Sequence, residues 1–304
     1  MAIVLNNQIL QKFALEYKPA EFKLGADRIL TKIPVNITGG TFIIKPQFVP
    51  EYLDSTAGVY SESPTFRPEI KISTGTYETK THRLKVPILE EEVENMNEIG
   101  MTDFAIEKLK EIKTSLLLEE EYQVAQILSS TSNKTTPSIK WDGNSPTIEK
   151  DIQKAIDAFK DQAGIYPNKM IIPQVVWNVI MMDATLRELF KLIPARKEQD
   201  LDVTLIFNQR WNFLQEIIIV DASIKLTKKG NATDIWSDNV YLIYSVPNGT
   251  KSTFSAIGKF IKKDWEVKRV KKEDPEGEDI ILISQYDIQA LCPNAVYKLE
   301  NVLT

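Results

Sequence analysis

The sequence predicts an α+β chain in which long strand-forming arms accompany a mixed α/β body. Three stretches carry that prediction. Residues 28–92 have strand periodicity but few apolar side chains. Residues 101–130 read as one helix of roughly 45 Å, against a usual helix of about 11–12 residues. Residues 259–304 close the chain with two long apolar-alternating runs around a Pro-Gly turn.

The elements follow in chain order. Ile9, Leu10, Phe13 and Leu15 mark a short amphipathic helix that ends near Pro19. Ile33, Val35 and Ile37 alternate with Pro34, Asn36 and Thr38, the period of a strand. Gly39-Gly40 is a bulge or a bend, and Thr41–Ile44 resumes the strand character. A polar connection runs from Pro50 to Pro68, after which Ile70 and Ile72 alternate with Glu69, Lys71 and Ser73. The run 73–81 is β-prone yet polar, and Leu84, Val86 and Ile88 restore alternation before Glu90-Glu91-Glu92. An isolated two-stranded arm is marginal in water. Two readings of 28–92 are therefore open, a surface hairpin with a loose loop or an arm stabilised by neighbouring subunits.

In the long helix, Thr102 or Asp103 is the expected cap. Ala105, Leu109, Ile112 and Leu116 form one apolar stripe, continued after a drift by Leu118, Tyr122, Ala125 and Leu128. A polar loop, 129–138, ends it. Ser145-Pro146 reads as cap and first turn of a helix whose apolar face is Ile148, Ile152, Ala155, Ile156 and Phe159, with Gly164 just past its end. Pro167-Asn168 turns the chain into a buried strand at 170–172. Short helices are expected at Gln174–Met182 and Thr185–Leu192, and strands at Ile217–Val220 and Val240–Tyr244. A hairpin or loop holding Lys228, Lys229, Gly230, Asn231 and Trp236 separates those strands. The final elements are strands at Trp265–Lys271, at Ile280–Ser284 leading into Tyr286–Leu291, and at Ala295–Val302, with Asp274-Pro275-Glu276-Gly277 as the turn.

Composition narrows the chemistry. The 304 residues include one histidine and one cysteine. No internal disulfide can form from one cysteine, and a zinc site rich in His and Cys cannot be built from one chain. A catalytic triad would have to use His82, which lies in a polar β run and reads as a solvated strand residue. Cys292, before Pro293, reads as a buried thiol. No GxGxxG or GxxxxGK[ST] phosphate loop is present. The net charge of −5 argues against strong sequence-independent DNA affinity. No apolar run approaches the length of a membrane span, and the first residues lack a basic n-region. These features predict a soluble intracellular chain with no catalytic, cofactor-binding or metal-ligating residue assigned.

Charge clusters remain. Glu90–Glu94 reads as a solvated stretch, with a divalent cation as the other option. Lys259, Lys262, Lys263, Lys268, Arg269, Lys271 and Lys272 form a basic cluster followed by Glu273, Asp274, Glu276, Glu278 and Asp279. Cross-strand pairing within the hairpin is expected, and pairing with acidic groups of neighbouring subunits is the companion reading. Lys268, Arg269, Lys271, Lys272, Tyr77 and Lys80 are the candidate inter-subunit contacts. Trp141, Trp177, Trp211, Trp236 and Trp265 are expected as core or interface anchors.

The order of parts, with SPTIEKDIQKAIDAFKDQAGIYPNKMIIPQVVWNVI (145–180) and FIKKDWEVKRVKKEDPEGEDIILISQYDIQALCPNAVYKLENV (260–302), resembles the major capsid protein of tailed bacteriophages, the Hong Kong 97 (HK97) fold. IIIVDASIKL (217–226) and IWSDNVYLIY (235–244) fit the same pattern. The resemblance implies an N-terminal arm at 1–27, an extended β-hairpin E-loop at 28–92, and a P-domain with spine helix at 93–144. It implies an α/β A-domain at 145–258 and the P-domain C-terminal β hairpin at 259–304. It implies self-assembly through pentamers and hexamers into an icosahedral virion shell that encloses double-stranded DNA without sequence-specific contact. Scaffold, portal and decoration proteins are the implied further partners, with a separate scaffold or none because no long charged helical prefix precedes the β arm. Some members cross-link a Lys to an Asn, for which Lys80 and Asn294 are the matching residue types. An encapsulin-like compartment shell is the near alternative. A carboxylate hydrolase using Asp183, Asp221 and Asp238, or a monomeric binding module, are the alternatives from other classes.

Overall fold

The computed structural model describes residues 7–48, 73–98, 104–183, 207, 210–225, 231–273 and 276–304. Two sheets organise them. The five-stranded sheet has the order β5 (Lys134–Thr135), β13 (Val296–Leu299), β10 (Val240–Ile243), β6 (Lys169–Pro173), β7 (Glu216–Val220). Every residue of β6, β10 and β13 is buried. That is why 170–172 of β6 and 240–243 of β10 read as continuous apolar runs rather than alternating ones, while Lys169 and Lys298 are buried with ion-pair partners. Helix α5 (Ile148–Ala163) packs on β10 and β13, and α6 (Gln174–Met182) packs on β6 and β7.

The apolar face of α5 is buried as expected, and Gly164 ends the helix at φ 74, its N–H donating to Lys160 O at 2.8 Å. The start differs from the sequence reading. Ser145 is at φ 57, Thr147 is the cap, and the helix begins at Ile148. A residue before proline is steered out of the right-handed helical region. The Thr147 hydroxyl donates to Asp151 Oδ2 at 3.1 Å, and the same oxygen receives Trp141 Nε1 at 3.3 Å. Asn168 closes the turn into β6. Its amide Nδ2 donates to Ser245 O at 2.8 Å and its Oδ1 accepts from Ser245 N at 2.9 Å.

The four-stranded sheet has the order β1 (Thr31–Pro34), β11 (Ile257–Glu273), β12 (Glu276–Ala290), β4 (Lys80–Leu89). The hairpin β11–β12 pairs from Ile257↔Ala290 out to Glu273↔Glu276. The first strand starts well before Trp265, where the sequence reading began it. Register shifts between Ile261 and Lys263 and between Lys263 and Glu266 interrupt the period-two pattern, so the alternation restarts at Trp265. β1 lies parallel on β11 and β4 antiparallel on β12.

Between β1 and β4, strands β2 (Gly39–Ile44) and β3 (Ser73–Glu78) form a separate pair. Gly39-Gly40 opens β2. Ile70, Ile72 and the Pro50 to Pro68 connection lie outside the described residues. Glu90-Glu91-Glu92 are exposed and open helix α3 (Glu90–Glu98), where acidic side chains favour the N-terminal end of the helix dipole.

The long helix is α4 (Phe104–Ser129), about 39 Å at 1.5 Å per residue. Thr102 and Asp103 fall outside the described residues. Leu109, Ile112 and Leu116 are buried as expected, with Ala125 and Leu128. Leu118 and Tyr122 are only half-buried, and Lys113, Glu120, Glu121 and Val124 are buried instead. Strands β8 (Ser223–Ile224) and β9 (Thr233–Asp234) make the small hairpin between β7 and β10. Lys228, Lys229, Gly230 and the segment Thr185–Leu192 lie outside the described residues, as do Asp274 and Pro275.

Two hydrophobic cores result. The larger surrounds the five-stranded sheet and takes in Leu128, Trp141, Phe159, Tyr241, Phe260 and Tyr286. The smaller lies under the far half of the long hairpin. It joins Leu10 and Ala14 of helix α1 (Asn7–Glu16) to Leu109, Ile112 and Leu116 of α4 and to Trp265, Val267, Ile280 and Leu282. Helix α4 and the hairpin β11–β12 run from one core into the other.

Candidate functional site

Pairing decides which hairpin residues face outward. Trp265 and Val267 of β11, Ile280 and Leu282 of β12 and Ile88 of β4 are buried in the smaller core. The alternate residues, Lys268, Val270, Asp279, Ile281, Ile283, Arg83 and Lys85, therefore occupy the opposite face of the sheet. Lys268, Arg83 and Lys85 are exposed, Val270 is 48% exposed, and Ile281 and Ile283 are half-buried. This is a mixed basic and aliphatic strip.

Part of the basic cluster is spent within the chain. Arg269 holds Glu278 with two hydrogen bonds, from Nε to Oε2 at 2.8 Å and from Nη2 to Oε1 at 2.6 Å. Asp279 receives Lys272 at 3.0 Å and Lys85 of β4 at 3.1 Å, tying three strands together. Those two lysines hold its carboxyl below the usual range, the Lys272 hydrogen bond most of all. The cross-strand pairing expected for the hairpin is thus present.

Tyr77 packs inside the chain. Its ring stacks on Phe260 at 4.3 Å and 5°, and Lys251 Nζ lies 4.9 Å from its centroid. Lys80 is exposed at the head of β4, opposite Tyr286. Asn294 precedes β13 and donates to Pro46 O at 2.9 Å. Among the described residues Lys80 and Asn294 make no hydrogen bond to each other.

A layer of buried charge separates the two cores, and sequence reasoning missed it. Glu120 of α4 accepts from Lys259 of β11 at 2.7 Å, both residues being buried. Glu121 is fully buried. It accepts from Gly25 N (2.8 and 3.0 Å), Ala26 N (2.8 Å) and Trp236 Nε1 (2.8 Å). Burial pushes its carboxyl up to about 7, against the pull of those three donors. Gly25 sits so close to Val220 and Ile218 that a Cβ would lie 2.7 Å from a Val220 methyl. Lys259 Nζ lies 4.3 Å from the ring centroid of Tyr286, and His82 stacks on the same ring at 4.1 Å and 8°.

His82 is therefore not a solvated strand residue. Its side chain is 13% exposed, and its Nδ1 is 3.3 Å from Glu119 Oε1. The cause is the pairing of β4 with β12, which places His82 opposite Ser284 and diagonal to Tyr286. Cys292 is buried, and burial raises its thiol pKa. All five tryptophans are buried, as core anchors. The one sequence signal for the layer was three consecutive glutamates, 119–121, across the full width of an otherwise amphipathic helix.

Among the described residues no group of three or more His, Cys, Asp or Glu could hold a metal ion, and no helix is long and apolar enough to cross a membrane. Asp221 and Asp238 lie apart in their backbone partnerships. Asp221 bridges to Lys23, whereas the Asp238 carboxylate accepts from Leu303 N.

No family model and no curated protein matches the sequence. Solved structures do. A phage-related protein from Bordetella bronchiseptica RB50 superposes with a TM-score of 0.69 at 16% identity, covering 97% of each chain. A virus-like particle from Pyrococcus furiosus matches with a TM-score of 0.55 at 13% identity, again over 97% of each chain. The capsid of Myoviridae phage XM1 matches with a TM-score of 0.51 at 9% identity, over 98% of each chain. The likeness runs through both sheets and both cores, and the chain has the fold of phage capsid subunits, the Hong Kong 97-like architecture that its layout resembles.

Proposed function

We propose that this chain is a major capsid subunit, a structural protein that self-assembles into an icosahedral shell enclosing double-stranded DNA. The observation that carries the reading is the agreement of fold with a phage capsid chain, that of phage XM1, across 98% of the length rather than over one module. A fold alone does not specify function. Two features of the surface support it. The outer strip around Lys268, Val270 and Ile281 combines charge and aliphatic area on a regular sheet, the mixture found at protein interfaces. Val175 and Met182 of α6, 58% and 76% exposed, add a second apolar surface.

In this reading residues 28–92 are the E-loop, α4 is the spine helix, 145–258 form the A-domain and the long hairpin belongs to the P-domain. Lys268, Arg269, Lys271, Lys272, Tyr77 and Lys80 remain the proposed contact set. Tyr77 would then act by holding β3 against Phe260, and Lys268 and Lys271 by direct pairing with acidic groups of a neighbour. The subunit would reside in the virion, after assembly in the host cytoplasm, with scaffold, portal and decoration proteins as partners. Its role would be association, with no substrate turned over.

The test is expression of the full chain, alone and with its neighbouring genes, followed by gradient sedimentation and negative-stain microscopy. Closed particles tens of nanometres across are expected. A monomer of about 35 kDa under every condition would overturn the reading. The virus-like particle likeness favours a second reading, a shell with other contents. Nuclease-protected DNA in purified particles supports the capsid reading, and a co-purifying enzyme in DNA-free particles supports the second.

A further inference from the structure

Beside the charged layer, residues 15–28, α4 and β11 enclose a cleft of about 820 Å³. Six cationic side chains line it, and five have partners. Lys18 and Lys32 both hold Asp27 at 2.7 Å, Arg28 holds Glu216 at 2.6 Å, and Lys259 holds Glu120 at 2.7 Å. Lys23 donates to Gln174 Oε1 at 2.6 Å. The sixth, Lys113, is 2% exposed, and its Nζ rests 3.3 Å from the centroid of Trp265. Among the described residues no carboxylate lies within ion-pair distance of it. A buried ammonium without a counter-ion is costly, and an aromatic face offsets only part of that cost.

We propose that this cleft binds a small monoanion, a carboxylate carried on an apolar body, with Lys113 as its counter-ion. One unpaired ammonium calls for one negative charge. A dianion would meet Asp27, Glu120, Glu121 and Asp264, which also line the cleft. The apolar body is accommodated by Leu24, Leu117, Ile219 and Ile261. The same groups govern the amine in the absence of ligand. Burial pushes Lys113 down to about 7, with Glu120, Asp264 and Asp27 acting upward and Lys259 downward. A bound carboxylate restores the proton, so affinity rises as pH falls through 7.

The inference stands apart from shell formation, since it concerns a cleft within one chain. The test is calorimetric titration of the purified full-length protein with octanoate, and with inorganic phosphate as the apolar-free comparison. Saturable binding of one octanoate per chain is expected, about ten-fold tighter at pH 6 than at pH 8 given an amine that titrates near 7. Lys113→Met should weaken it at least about ten-fold, and Lys113→Arg should keep it while reducing the pH dependence to the part contributed by Glu121, which also lines the cleft and titrates near 7. In the wild type, octanoate should slow acylation of Lys113 at pH 7.5, mapped by peptide mass spectrometry. That measurement stands even if Lys113→Met fails to fold. Absence of saturable binding, equal affinity in a folded Lys113→Met, or phosphate binding as well as octanoate would overturn the proposal.

Discussion

The two cores of this molecule are built differently. Around the five-stranded sheet, strands β6, β10 and β13 are buried at every position, and helices supply the cover. Under the long hairpin only alternate residues are buried, and the cover is α1 with the first half of α4. The first core is closed within the chain. The second is closed on one face and leaves a strip of lysines, arginine and aliphatic side chains on the other. A sheet buried on both faces makes a body. A sheet buried on one face holds a surface open for a partner, which in the proposed shell is another copy.

Where the two cores meet, the chain places charge instead of hydrocarbon. Lys259 and Glu120 satisfy each other, and Glu121 is satisfied by backbone N–H groups of Gly25-Ala26 and the indole N–H of Trp236, two distant places in the sequence. Such a layer specifies how α4, β11 and the segment around Gly25 must sit, because each donor is needed to offset burial of a carboxylate.

The contrast can be broken at several levels. The largest effect is expected at the junction. Glu120→Ala leaves Lys259 buried and unpaired, and should cost about 3–5 kcal/mol in urea unfolding. The double change Glu120→Met with Lys259→Met should recover most of that loss. Next come the cores themselves. Ile172→Ala in the closed body should cost about 2–5 kcal/mol, and Leu282→Ala under the hairpin should fall near the lower end of that range. The smaller core is covered in part by α1, a ten-residue helix that can move into the space. An equal or larger cost at Leu282 would show that the hairpin core is as rigid as the body.

The pH response of the junction has a defined sign. Glu121 titrates near 7 in the folded chain and near 4.5 unfolded, so the folded state holds the extra proton between those values. Its contribution is fully present below 4.5 and is lost as pH rises through 7. Lys113 titrates near 7 folded and near 10.5 unfolded, so the unfolded state holds the extra proton there, and stability rises across that window. Thermal unfolding of Glu121→Gln should lack the fall between pH 4.5 and 7. That of Lys113→Met should lack the rise above 7.

The smallest effect on stability is expected on the open face. Lys268→Glu with Arg83→Glu, both exposed on that face, should change unfolding by no more than about 0.5 kcal/mol, yet reduce particle yield strongly if the strip is an interface. Normal yield from a folded double variant would remove the strip from the contact set.

Much of the body was legible in the sequence because its signals are local. The 3.6-residue face of α5, the left-handed position of Gly164 and the apolar runs of β6, β7 and β10 each depend on neighbours within a few residues. Errors arose where distant chain segments decide. The start of β11 was misread because register shifts break its period. His82 was misread because its stacking partner, Tyr286, is brought to it by strand pairing. The drift in α4 was visible, but charged residues on a helix ordinarily read as solvated. Only packing between two cores turns Lys113, Glu120 and Glu121 inward.

By itself, then, the amino-acid sequence determined the order of elements, the near-absence of histidine and cysteine chemistry, and the capsid-like layout, since periodicity and composition are properties of the chain alone. The tertiary structure alone decided which face of the hairpin stays open, which charges are buried as partners and which ammonium is left without one. Those outcomes depend on contacts between residues far apart in the chain, Lys259 with Glu120 at 139 positions and Gly25 with Glu121 at 96 among them, and no local pattern encodes them.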